Sequence, residues 1–97
     1  MSQELPYNQI IENPDFQKAC DEYRTLYVLM NDVYDDIGWT LGKDATEGRR
    51  IEESYHWIFE TDQQGNTPGF WVLYKYLPQK HHVYLLNIKA AHVSYDE

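Results

Sequence analysis

The sequence predicts an α+β domain in which an N-terminal helical hairpin packs on a three- to four-stranded antiparallel sheet. Two patterns predict this class. Apolar residues recur with helical spacing from Phe16 to Leu41. After Gly42, three runs rich in aromatic and β-branched residues follow one another, separated by short turns. Helices followed by strands are typical of an α+β domain. A length of 97 residues and a hydrophobic content of 42% predict a single domain over residues 1–97.

The N-terminal half begins with a short predicted strand around residues 7–12, at an edge of the sheet. A helix start follows, because Asn13 can cap a helix, Pro14 suits its first position and Asp15 complements its positive end. A second possible cap at Asn31 leaves one long helix or two helices open. We favour two, because a single rod of about 40 Å is unusual in a small domain.

The C-terminal half contains three predicted strands, over residues 51–60, 69–77 and 82–89. Glycine and proline mark the turn at 63–69, and a second turn follows at 78–81. Such short connections predict that consecutive strands are antiparallel neighbours.

Charge is uneven along the chain. The net charge is −8, but residues 1–48 hold ten acids and three bases, whereas residues 49–97 hold six acids and five bases. The first half is therefore expected to repel nucleic acid. Cys20 is the single cysteine, which excludes an intrachain disulfide and fits a reducing cytoplasm, where we expect the protein. We expect no membrane contact, because no apolar run is long enough to span a bilayer.

The order of elements and three short motifs resemble the RelE/ParE toxin superfamily. The motifs are NPDF at residues 13–16, GFWVLY at 69–74 and VYLLNI at 83–88. The resemblance implies a short strand, a helical hairpin and an antiparallel sheet. It also implies the toxin of a bacterial toxin–antitoxin pair, with an antitoxin as partner. Such toxins are ribosome-dependent mRNA endonucleases, which need no metal or cofactor, or gyrase poisons.

Two features argue against RNA cleavage by this chain. Trp71 stands where the family often carries arginine, and tryptophan cannot neutralise a phosphate. The net charge of −8 also disfavours contact with RNA or the ribosome. The remaining candidate catalytic residues are cations near the sheet and residues of the C-terminal tail: Arg49, Arg50, Lys75, His92 and Tyr95.

Metal and nucleotide sites have no support in the sequence. His81 and His82 are adjacent, so on a strand they would point to opposite faces and could not hold one ion together. Glu53 and His56 have helical i, i+3 spacing, but they lie in or before a predicted strand and the pair is not repeated. We expect neither a metal nor a nucleotide cofactor.

The strand over 69–77 supplies a rival to the toxin hypothesis, because it is apolar on both faces. Tyr74 is predicted to face the helices, which can cover only one side of the sheet. The other side is expected to bind an antitoxin or a second copy of the chain. The alternative function is therefore a non-toxic interaction domain, as a homodimer or hetero-complex. The predicted partner-binding residues are Trp71, Leu73 and Leu77.

Overall fold

The computed structural model describes residues 7–91, which form two α-helices, one 3₁₀ turn and five strands. The elements are β1 (Gln9–Glu12), α1 (Pro14–Arg24), α2 (Met30–Lys43), the 3₁₀ turn (Ala45–Glu47), β2 (Arg49–Arg50), β3 (His56–Glu60), β4 (Phe70–Leu77) and β5 (His82–Ala90).

The sheet confirms the α+β class but is larger than predicted. Its strand order is β1-β5-β4-β3-β2. The three predicted strands are consecutive antiparallel neighbours, as expected. The sheet differs from the three to four antiparallel strands expected in two details: β1 lies parallel to β5, and β2 adds a fifth strand. The two helices separate β1 from the rest of the sheet, so β1 joins it by a crossover, which is the connection that parallel pairing requires.

The strand predicted over residues 51–60 is shorter and is preceded by a turn. β3 begins at His56. The chain turns immediately before it: Glu52 has a φ of 51°, and the Ser54 amide donates to the Ile51 carbonyl at 3.2 Å. This turn lets β2, for which the sequence predicted no strand, pair antiparallel with β3.

The helical hairpin is confirmed, but its break falls before the predicted cap. α1 begins as expected, with the Asn13 side chain accepting from the Asp15 amide at 2.9 Å. The break spans residues 25–29, and Leu29, which precedes α2, makes no side-chain cap hydrogen bond. Leu26, which the apolar pattern counted on the buried helix face, is exposed in this break.

The core lies between the helix layer and one face of the sheet. The side chains of β4 alternate between the two faces of the sheet: Phe70, Val72 and Tyr74 are buried in the core, whereas Trp71 lies on the opposite side. The face assignment predicted for this strand therefore matches the structure. Further core residues come from both helices and β5: Phe16, Cys20, Met30, Val33, Ile37, Leu41, Val83, Leu85 and Ile88.

A β-bulge keeps β5 facing this core along its whole length. Leu73 pairs with Asn87 and Tyr74 with Leu85, which leaves Leu86 without an opposite residue. The inward positions of β5 therefore shift by one residue after the bulge.

Candidate functional site

The side of the sheet opposite the helices, called here the open face, carries most of the candidate residues. Cross-strand pairing arranges it in four rows. Within residues 7–91 no element packs on these rows. From one end of the sheet to the other, the rows are Glu60–Trp71–Lys89, Arg49–Ile58–Leu73–Asn87, His56–Lys75–Tyr84–Ile11 and Leu77–His82–Gln9.

The apolar part of the open face is a shallow groove centred on Trp71 and Leu73. Its volume is about 230 Å³, and Ile58, Asn87 and Lys89 complete most of its lining. Trp71 is 37% exposed, whereas Leu73 and Ile58 are half-buried. The groove can therefore accept an apolar side chain from a partner without rearrangement of the strands. Leu77, the third predicted contact residue, lies two rows away, beside His82.

The polar part of the open face is centred on Lys75. His56 and Tyr84 are its direct neighbours on β3 and β5, and all three side chains are half-buried. Tyr84 in turn contacts His82 edge to face, with 5.9 Å between ring centroids and 3.4 Å from the tyrosine oxygen to Nδ1. A row of imidazole, ammonium and phenol groups can bind an anion, since each can donate a hydrogen bond.

The cations of the open face have no acidic partner within the described part of the chain. Between residues 7 and 91, the ion pair with an N–O distance within 4.0 Å joins Arg24 to Asp21 on α1, in the helix layer on the other side of the sheet. No carboxylate between residues 7 and 91 therefore pairs with Arg49, Lys75 or Lys89, and each of these cations can bind an anionic group.

The two adjacent arginines do not act together. Arg49 pairs with Ile58 and lies on the open face, whereas Arg50 pairs with Trp57 on the helix side. The Arg50 Nε donates to the Ser54 carbonyl at 2.8 Å, and its side chain lines a separate groove of about 290 Å³ beside Tyr55. The structure thus brings Arg49 and Lys75 to one face and separates Arg50 from them.

The remaining sequence candidates do not join this site. His92 and Tyr95 lie outside the described residues. His81 lies in the turn before β5, with a φ of 56°, as the predicted turn over 78–81 indicated, so it does not share the strand with His82. Cys20 lies on the buried face of α1, and burial raises the pKa of its thiol to about 11, which keeps it protonated. From Tyr7 to Ala91, no three His, Cys, Asp or Glu side chains are grouped as a metal site would require.

Several members of the open face, among them His56, His82, Tyr84 and Lys89, were not among the site residues predicted from the sequence. The alternation of β5 places His82 and Tyr84 on one face, and this signal was present in the sequence. That His56 lies beside Lys75, and Lys89 beside Trp71, depends on strand register. Neither the register across the connection over 61–69 nor the register shift at the β5 bulge can be read from a single sequence.

Comparison with known proteins identifies the fold. No protein-family model matches the chain, and no curated protein sequence is significantly similar to it. Its structure is similar to that of a chain in the crystal structure of the intact E. coli RelBE toxin–antitoxin complex, with a TM-score of 0.57 and 12% sequence identity. The match covers 90% of this chain and 99% of that one. The protein therefore has a RelE-like fold, as the sequence motifs indicated. Within the described elements, no helix is both long and apolar enough to cross a membrane.

Proposed function

We propose that this protein is the toxin-like component of a toxin–antitoxin pair and that it acts in the cytoplasm through protein contacts made by the open face. The observation that carries the proposal is an exposed tryptophan, Trp71, beside an apolar groove on a RelE-like fold. Aromatic residues in such positions often dominate binding energy at protein interfaces. The partner would be an antitoxin.

Protein contact is favoured over RNA cleavage by the chemistry around Trp71. Cleavage by attack of a 2′-hydroxyl needs a cation close to the phosphate to stabilise the developing charge. Trp71 takes the place where the family that the sequence resembles often carries arginine, and its row contributes Lys89 and Glu60, whose charges oppose each other. The net charge of −8 adds long-range repulsion of RNA.

The second candidate function is a non-toxic interaction domain of the same fold, as a homodimer or in a hetero-complex. Trp71 in place of arginine and the net charge of −8 also favour this interaction domain. A chain without that arginine, and with a charge that repels RNA, can retain the fold for protein binding alone. The two functions differ in their effect on cells and share the contact surface.

Induced expression in bacteria separates these functions. We expect growth arrest on expression of the chain and recovery when the product of the adjacent gene is expressed with it. Trp71→Ala should remove that recovery while the protein still accumulates in folded form. The matched control is Trp39→Ala, because Trp39 is 62% exposed but lies on α2, away from the open face. Growth without arrest, together with a stable complex, would support the interaction domain instead.

A further inference from the structure

We propose that the open face binds an acidic, amphipathic segment of the partner protein. An apolar side chain of that segment would enter the groove at Trp71 and Leu73, and its carboxylates would pair with Arg49, Lys75 and Lys89. This inference rests on the proposed function and adds the chemistry of the partner to it.

The distribution of charge over the molecule supports an anionic partner. Within residues 7–91, the open face carries three of the eight Lys and Arg residues and one of the thirteen Asp and Glu residues, namely Glu60. The remainder of this described part of the chain therefore holds five bases and twelve acids. An acidic segment would be attracted to the open face and repelled from the rest of the molecule, which directs it to one site.

The positions of the cations around the groove set the spacing that the partner must match. Lys89 shares a row with Trp71, Arg49 shares a row with Leu73, and Lys75 lies in the row after Leu73. Successive rows on one face of a strand are about 7 Å apart. Charges therefore lie beside and beyond the groove within about 14 Å, a distance that about two and a half turns of helix or about four residues of strand cover.

The apolar residues favour a polypeptide over a nucleic acid as the occupant. Single-stranded nucleic acids bind by stacking bases on successive aromatic side chains. On the open face, the rings of Trp71 and Tyr84 lie two rows apart, and the row between them carries the aliphatic Ile58 and Leu73. Successive bases would therefore find no continuous stacking surface, whereas the aliphatic side chains can bury apolar groups, so an acidic peptide fits this face better than RNA of equal charge.

A set of synthetic probes tests the proposal with the full-length chain. The probe is an amphipathic peptide of about twelve residues built from Leu and Glu, with a second peptide in which Gln replaces every Glu, and an oligouridylate of about twelve nucleotides as the nucleic-acid alternative. Titration calorimetry gives each affinity. We expect the Glu peptide to bind at least about fivefold more tightly than the other two, and we expect its affinity to fall when salt is raised.

Variants locate the binding. Lys75→Met combined with Lys89→Met should weaken binding of the Glu peptide at least about fivefold, whereas Lys18→Met, which removes an exposed charge from α1, should not. Thermal melting of each variant checks that the fold is intact. Equal binding of the Glu and Gln peptides, no binding of the Glu peptide, tighter binding of the oligouridylate or an unaffected double variant would overturn the inference. If the charge of the peptide and of the variants has no effect on affinity while Trp71→Ala still prevents neutralisation by the partner in cells, the proposed function stands. In that case only the acidic chemistry proposed for the partner is overturned.

Discussion

Tyr34 joins α2 to the edge strand β1, because its hydroxyl donates a hydrogen bond to the Glu12 carboxylate. This bond, together with partial burial, raises the pKa of Tyr34 to about 12. The neutral phenol is thus favoured in the folded protein. The stability that the Tyr34–Glu12 hydrogen bond contributes is present in full below pH 10.0, the ordinary pKa of tyrosine. It is lost as the pH rises from 10.0 to about 12.

Tyr34→Phe is therefore expected to lower the free energy of unfolding by about 1 kcal/mol at neutral pH. It should also reduce the loss of stability between pH 10.0 and about pH 12. Urea unfolding of both proteins over this pH range provides the measurement. Tyr84→Phe is the matched control, since its phenol lies on the open face and bonds no carboxylate there. An unchanged alkaline slope in Tyr34→Phe would contradict the assignment.

Gly48 is required by a close approach between the 3₁₀ turn and the sheet. A Cβ at this position would lie 2.5 Å from the Ile58 carbonyl oxygen and 2.6 Å from the Tyr74 hydroxyl. The carbonyl is backbone, and the hydroxyl is held by the bond that it donates to the Ala45 carbonyl at 2.6 Å. Neither atom can move away cheaply.

Gly48→Ala should accordingly lower the free energy of unfolding by about 2 kcal/mol, since overpacking a close contact typically costs that much. Gly38→Ala also replaces a glycine by alanine, but it is expected to raise the free energy of unfolding. Gly38 lies within α2 with open space around its Cβ position, so alanine should stabilise the helix by about 0.5–1 kcal/mol. Thermal melting of the two variants should move in opposite directions, and equal shifts would exclude the close contact as the cause.

Substitutions on the two faces of β4 are expected to affect different properties: partner binding on the open face and monomer stability on the core face. Trp71 is partly exposed on the open face, whereas Tyr74 is buried beneath the 3₁₀ turn. Trp71→Ala should weaken association with the partner by about 2 kcal/mol or more if it acts as an anchor, and it should leave the monomer folded. Tyr74→Ala should instead lower the free energy of unfolding by about 3 kcal/mol, because it removes a buried ring.

Thermal melting and a binding titration on both variants check this division. Unfolding of Trp71→Ala at ambient temperature would show that its ring stabilises the monomer and does not serve a partner. Unchanged association in that variant would place the partner elsewhere on the molecule.

Local patterns in the sequence predicted the central elements of the fold, and long-range pairing accounts for what they missed. The alternation of β4 and the helix start at Asn13 are properties of neighbouring residues, so both could be predicted. The direction of β1 could not, because it depends on β5, about seventy residues further along the chain. The helix break was predicted near Asn31 and not at 25–29, because the apolar spacing continues through 25–29 at Leu26, although that side chain is exposed.

The same distinction applies to the candidate site. Trp71 and Leu73 could be placed together because they are two residues apart on one strand. The row of His56, Lys75 and Tyr84 combines three strands, and a shift of one residue in either pairing would move its members to opposite faces.

At the scale of the whole molecule, the charge distribution distinguishes an antitoxin-type partner from a second copy of the chain. A symmetric dimer through the open face would bring Arg49, Lys75 and Lys89 of one copy against the same residues of the other. A symmetric dimer through the helix layers would oppose two acidic surfaces, because the N-terminal half of each copy carries a net charge of −7. Both arrangements place like charges together, which costs binding energy and is relieved only by screening.

We therefore expect the purified chain to be a monomer at low ionic strength, with a mass near 11.6 kDa by light scattering over a wide range of protein concentration. Added salt screens the repulsion, so any weak self-association should increase with ionic strength, the reverse of the trend expected for an acidic partner. Comparison with the Lys75→Met, Lys89→Met double variant shows which surface is responsible, because removal of these cations should favour self-association only if the open faces meet. A stable dimer at low salt in the unmodified chain would contradict the electrostatic argument and support the homodimeric interaction domain.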